Sequence, residues 1–528
     1  MLNPRLPVAV ALAAVVAAGF VWGPGATVVR DAVIRLAIIG SHPFDLDRFY
    51  RQDVAWHACR AGSDDPTGRM LDDGGARCAE VTVPLDYRKP RGRTIKLAVA
   101  RRLATDRDHR EGTLLVNTGG PGGSRDGVLA VLQGLKPEMA HGSSAVAARY
   151  DLVGVDPRFF GRSTRLGCDW PTGTAVRSAD LASPDRRSFD ASVARAKDLA
   201  ARCAKAKDLL PYASTRTIAK DLDVVRSTLN EEHVSYLGWS YGGYLGAVYA
   251  QSFPQHVRRV VLDSSPDPVV YGPNPSRSTG AAADAAGLRN WARWAARRNA
   301  TYRLGASADQ VLATVERIRR AAGAGLTVGA HRVDAAMLPG LLLVVVDTKA
   351  SYAAFSAKVQ VLSEAASGQK VNPTPDLAEY FGQLASTDVQ PGFDAGLAVR
   401  CADRPASRDP ETYFRDIQVH LRDEPLYGPL TRNVTPCAFW PADSADRPIR
   451  IATNLPALLV GASGDPASPY VGQQALHRDL TRSRLVTLQG AFRHGVYLFD
   501  GNSCVDKLVD QYLLAGTLPS TDPTCTSS

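Results

Sequence analysis

Ser240 stands between two glycines in Gly238-Trp239-Ser240-Tyr241-Gly242. A hydroxyl is a poor nucleophile until a base takes its proton, so a reactive serine needs an imidazole within reach and an acid that orients it. The run Val-Ser-Tyr-Leu ends just before Gly238, and a helical run begins at Gly243-Tyr244-Leu245. A strand that turns sharply into a helix lifts the serine to the top of a sheet, and small residues on either side let the chain make that turn. The five letters alone recur by chance, but the strand before and the helix after them make the motif informative. The chemistry they point to is nucleophilic acyl transfer.

In such an elbow the acid and then the histidine follow the serine along the chain. Of the 10 histidines, His477 and His494 lie late enough to serve. His477 falls inside an apparent helix and reads as a surface residue. His494 follows the last apolar strand by the short loop Gln489-Gly490-Ala491-Phe492-Arg493, which is able to carry its ring back over Ser240. Two aspartates compete for the acid. Asp263 ends Val-Val-Leu-Asp, and Asp465 follows Leu-Leu-Val-Gly-Ala-Ser-Gly. Asp465 lies in a loop with room to reach His494 Nδ1 and is the favoured acid, with Asp263 as a structural residue.

Acyl transfer also needs donors for the developing oxyanion. Asn117-Thr118-Gly119-Gly120-Pro121-Gly122-Gly123 follows an early strand, so backbone N–H groups of the Gly119-Gly120 turn, with that of Tyr241, are the candidates. A phosphate-binding reading fails, because this loop has neither the Lys-Ser/Thr ending nor the G-x-G-x-x-G spacing. No metal or organic cofactor is needed.

The elements that must position these groups are legible in outline. β-branched runs at 79–84, 95–101, 113–116, 152–155, 234–237, 257–262, 457–460 and 485–488 alternate with helical patterns, which predicts α/β layers around a mostly parallel sheet. Ile218, Leu222, Val225 and Leu229 form a stripe at helical spacing that packs on the sheet. After Pro266 the strand pattern stops. An Ala-rich region follows, with a helix start at Ser307 ahead of Val311, Val315 and Ile318, and strand signals return near Leu455. The expected organisation is therefore a sheet domain over 50–266 and 451–528, with a mainly helical cap over 267–450.

A chain of 528 residues, 45% hydrophobic and 22% charged, is globular and exceeds one core of usual size. Its formal net charge of +9 is spread among 53 acidic residues. The one dense basic cluster, Arg289, Arg293, Arg297 and Arg298 around Trp291 and Trp294, reads as a solvated helix face with tryptophans turned inward, and no nucleic-acid partner is expected. Arg5, the apolar run 8–22 and small residues after it form the pattern of an export signal over 1–30; an uncleaved membrane anchor is the alternative, although the run is short for a span of about 20 residues. Eight cysteines suit an oxidising compartment. They fall as chain neighbours, Cys59 with Cys78, Cys168 with Cys203, Cys401 with Cys437 and Cys504 with Cys525, and sequential pairing is expected without any metal-ligand spacing.

With these residues in place the chain resembles the secreted tripeptidyl aminopeptidases of actinobacteria, relatives of the prolyl aminopeptidases. The likeness covers nearly everything after residue 50. It rests on the opening strand Cys78 to Tyr87, the oxyanion loop Asn117 to Ser124, the stretches Tyr150 to Ser163 and Gly238 to Gly242, and the closing segment from Asp465-Pro466 through His494 to Cys504 and Cys525. The resemblance implies an α/β-hydrolase fold with an inserted helical cap, and an exported peptidase that binds a free α-amino group beneath the cap and releases short N-terminal peptides. Thr118 stands where the family usually has Pro, and Phe159-Phe160 where Gly-Val or Gly-Thr is usual, which implies a different substrate range. Asp347, Glu364, Glu379 and Asp403 are candidate partners for the amine. Some relatives act mainly as esterases, so a carboxylesterase with the same three residues is the alternative within the class. A catalytically inactive binding protein on the same scaffold is the alternative outside it.

Overall fold

The β-branched runs assemble into a nine-stranded sheet. The computed structural model describes residues 45–134, 141–275 and 277–527; the export segment expected at 1–30 lies outside them. Strands β1 (Arg77–Pro84), β2 (Thr94–Arg102), β3 (Gly112–Asn117), β4 (Tyr150–Asp156), β5 (Val234–Trp239) and β6 (Val257–Asp263) are followed by a hairpin, β7 (Leu326–Val328) and β8 (His331–Val333), and then by β9 (Leu458–Ala462), β10 (Arg484–Gln489) and β11 (Thr524–Thr526). The sheet order is β1-β2-β4-β3-β5-β6-β9-β10-β11. β2 runs antiparallel to both β1 and β4, and every pairing from β4 onward is parallel. β4 and β5 are buried along their whole length, as strands covered by helices on both faces must be, which explains why their sequences run apolar instead of alternating.

Helices α1 (Thr172–Asp180), α2 (Arg186–Arg202) and α3 (Thr215–Thr228) join β4 to β5, and α4 (Tyr241–Ser252) follows β5 directly. Ile218, Leu222 and Val225 of α3 are buried, and α3 packs against α4. Between β6 and β9 lie α5 (Gly280–Ala296), α6 (Ala308–Ala324), α7 (Lys349–Ala366), α8 (Pro375–Ala385) and α9 (Phe393–Asp403). The first four of these enclose an apolar core of their own that includes Trp291, Ile318, Val359, Leu362 and Phe381. Trp291 is fully buried and its indole N–H donates to Ser356 Oγ at 2.9 Å, while Arg289, Arg293 and Arg297 face outward and the Arg298 guanidinium lies 3.9 Å from the centre of the Trp294 ring. The basic cluster is thus a solvated helix face. Helices α10 (Tyr470–Asp479) and α11 (Ser503–Ala515) complete the parallel half.

Three features differ from the sequence expectation. The insertion is not free of strands: β7 and β8 are three residues each, too short to generate a period-two signal. β11 was not expected for the same reason. The helices over the sheet come from two places, because α1 packs on α8 although it precedes β5 in the chain.

All eight cysteines pair in chain order, Cys59–Cys78, Cys168–Cys203, Cys401–Cys437 and Cys504–Cys525. The last bond ties α11, just beyond the His494 loop, to β11, with a sequence separation of 21 residues. Closing a loop of that size contributes about 3 kcal/mol, chiefly by restricting the unfolded chain. Peptide mapping without reductant is expected to recover one fragment joining Cys504 to Cys525, and Cys525→Ser is expected to lose roughly that stability in denaturant titration. Free thiols at both positions in the wild type would refute the pairing.

Candidate active site

Ser240 occupies the tip of the turn between β5 and α4, with φ 56° and ψ −125°. A non-glycine residue at such angles costs of order 1–3 kcal/mol and persists only where its surroundings hold it. The Ser240 N–H donates to the Asp263 carbonyl of β6 at 2.9 Å, and the chain then enters α4 at Tyr241. A Cβ on Gly242 would lie 2.5 Å from the Asn117 carbonyl oxygen, so only glycine lets this turn nest against the end of β3.

The loop after β3 crosses directly beside the serine. A Cβ on Gly119 would stand 2.5 Å from the Trp239 carbonyl oxygen and 3.0 Å from Ser240 Cβ. The Gly119 N–H, however, donates to Asn117 Oδ1 at 3.0 Å. Of the two glycines expected to offer donors, Gly119 therefore supplies closeness of approach, and Gly120 retains an N–H with no acceptor among the described residues. Tyr241 opens α4, where the first N–H groups have no intrahelical partner.

His494 Nδ1 lies 3.0 Å from Asp465 Oδ2 and 3.1 Å from Oδ1. Asp465 is 1% exposed, and its carboxylate also accepts from the Ala467 and Ser468 N–H groups at 2.9 Å and from Gln473 Nε2 at 3.1 Å. Those three donors aim the acid at the ring. Burial, the largest single influence, pushes His494 down, but Asp465 and then Asp263 push it up, and the balance leaves the ring above its ordinary value. The neutral, proton-accepting ring predominates only above that raised value.

Asp263 is drawn into the same neighbourhood in another role. Its carboxylate accepts from the Tyr497 N–H at 2.7 Å, from the Val496 N–H at 3.2 Å and from the Ser264 hydroxyl at 2.7 Å, while Ser264 Oγ accepts from the Gly495 N–H at 3.0 Å. The end of β6 thus clamps the chain just after His494. Burial raises Asp263 to about 7, against the lowering effect of these donors. His477 lies on α10, bonded to Ser483 and Asp522.

A cavity of about 500 Å³ opens between the inserted helices and this edge of the sheet. Its lining touches the site at three places: Pro121 after the Gly119-Gly120 turn, Pro466 after Asp465, and Val345, whose carbonyl accepts the His494 N–H at 3.2 Å. None of the four acids considered for an amine lines it. Asp347 accepts from the Phe492 N–H and from Arg493 Nε at 2.7 and 2.9 Å, which makes it the clamp on the other side of His494. Asp403 is buried on the Thr215 N–H and hydroxyl. Glu364 and Glu379 receive Gln360 and Gln383 one turn away on their own helices. The acid that does line the cavity is Asp284 of α5, raised to about 7 by burial. Sequence reasoning passed over it because nothing in an Ala-rich helix says which face meets the sheet. Among the described residues no cluster of His, Cys, Asp and Glu is placed to hold a metal ion.

A family model described as TAP-like protein matches residues 425–525, the stretch that contains Asp465 and His494. The tripeptidyl aminopeptidase of Streptomyces lividans is 33% identical over 90% of this chain and 87% of its own. Carboxylesterase B of Mycobacterium tuberculosis is 33% identical over 89% of each chain, and the serine protease Hip1 of the same species is 29% identical over 96% and 97%. The serine elbow at the end of β5, the β9 and β10 loops that bring Asp465 to His494, and likeness of this extent along both chains agree: the chain belongs to the tripeptidyl aminopeptidase family of α/β-hydrolases.

Proposed function

We propose that this chain is an exported serine peptidase that releases short peptides from free N-termini through an acyl-enzyme. Ser240 Oγ attacks the acyl carbonyl while His494 Nε2 takes its proton. Asp465, bonded to Nδ1–H, fixes the tautomer that leaves Nε2 free and stabilises the imidazolium that forms. The Tyr241 and Gly120 N–H groups receive the oxyanion. The imidazolium then returns its proton to the leaving amine, and water activated by the same ring hydrolyses the ester. In this reading the inserted helices act as the cap. Export is supported by the basic and apolar start of the chain and by four disulfides. No helix among the described residues is long and apolar enough to cross a membrane.

The observation that carries the exopeptidase reading is Asp284, a carboxylate with no protein partner among the described residues in a cavity that abuts the loops after Gly119-Gly120 and after Asp465. Burial raises this acid to about 7 and so disfavours its charge, which a substrate α-ammonium would restore. Acetylating the N-terminus of a tripeptide anilide removes that cation and adds bulk. Turnover is expected to fall at least about a hundredfold, equivalent to roughly 2.7 kcal/mol. Equal rates on free and acetylated peptide would favour an endopeptidase or esterase.

A further inference from the structure

Asp284 and Arg400 line one cavity from two different helices, α5 and α9, and among the described residues are the two ionisable side chains in a lining otherwise apolar or neutral. They do not bond to each other. Among the described residues no carboxylate lies within ion-pair distance of Arg400, and its Nε is buried without an acceptor. Asp403, the nearest acid along α9, is taken by Thr215, whose N–H and hydroxyl donate to it at 2.7 and 2.6 Å. The neighbour of the guanidinium is the Tyr271 side chain, itself buried. An arginine facing a substrate space with no anion of its own leaves donors for an anion of the ligand, and its planar fork matches a carboxylate bidentately.

We propose that Arg400 is a specificity-determining residue which pairs with a carboxylate of the substrate, so that the preferred peptide carries an acidic group in addition to its free amine. The proposal rests on the peptidase reading above and deepens it, since it assigns the charge pattern of the substrate. Asp284 and Arg400 together then select a zwitterionic ligand, with the amine at α5 and the carboxylate at α9.

The test is a set of tripeptide anilides with Glu or Gln at each position in turn, run beside two p-nitrophenyl esters, the hemiglutarate and its methyl ester. Wild type is expected to prefer Glu over Gln at one position, or the hemiglutarate over its methyl ester, by at least tenfold in kcat/KM. Arg400→Met is expected to bring that ratio to within twofold while its rate on the neutral partner stays within threefold, and Arg400→Lys is expected to keep part of the preference. The Lys variant and the retained neutral rate separate loss of recognition from loss of fold. No acid preference in either series, or a preference that survives in Arg400→Met, would overturn the proposal. Inert peptides with active esters would defeat the peptidase reading alone, because the ester pair still reports on Arg400.

Discussion

Ser240→Ala is expected to abolish hydrolysis, with turnover falling on the order of a million-fold, and to abolish labelling by a fluorophosphonate probe. The substitution deletes one oxygen atom from a side chain that makes no hydrogen bond with another described residue, so it leaves the elbow standing. The backbone bonds that hold the turn, Ser240 N–H to the Asp263 carbonyl and the Gly243 N–H to the Ser240 carbonyl, are unchanged in alanine. Thermal stability should therefore match the wild type. Residual activity within tenfold of the wild type would remove Ser240 from the mechanism, and wild type that resists the probe would favour an inactive binding protein on this scaffold.

Asp465→Asn is expected to cost on the order of ten-thousand-fold in turnover. The reason lies in the three donors that hold the carboxylate. An amide has a single acceptor oxygen, which the Ala467 and Ser468 N–H groups claim, so its NH₂ turns toward His494. The ring must then accept at Nδ1 and carry its proton on Nε2, where it no longer serves Ser240 as a base. Asp263→Asn makes the opposite contrast. It disturbs the bonds to Val496 and Tyr497 that clamp the loop, so the loss should appear as stability, about 1–3 kcal/mol, with a far smaller fall in turnover. Steady-state kinetics and thermal melts of both variants decide the matter, and the reverse ranking would move the acid to Asp263.

The site was legible wherever its chemistry depends on near neighbours in the chain. The strand before Gly238, the helix after it and the glycines flanking Ser240 make a turn whose conformation is local, and the structure realises it at φ 56°. Of the eight strands expected from β-branched runs, β4 and β5 stand out most because central parallel strands covered on both faces are apolar throughout. The three-residue strands β7, β8 and β11 were not legible, since pairing with a partner and not composition makes them strands.

The sequence by itself determined the elbow and a set of cysteines able to pair as neighbours, both of which follow from residue type and short spacing. Only the tertiary structure decided which aspartate holds the His494 ring. Asp263 ends β6 and Asp465 lies just after the neighbouring strand β9, and what separates them is the direction each carboxylate is pulled by its donors: Val496 and Tyr497 for the first, Gln473 and the turn after Pro466 for the second. It also decided that Asn117 occupies the Gly119 N–H, and that Asp284 and Arg400 share a cavity although 116 positions separate them in the chain. Such pairings depend on which face each helix turns toward the sheet. That is settled by packing, of α5 among α6 to α8 and α1 for Asp284 and of α9 on α3 for Arg400.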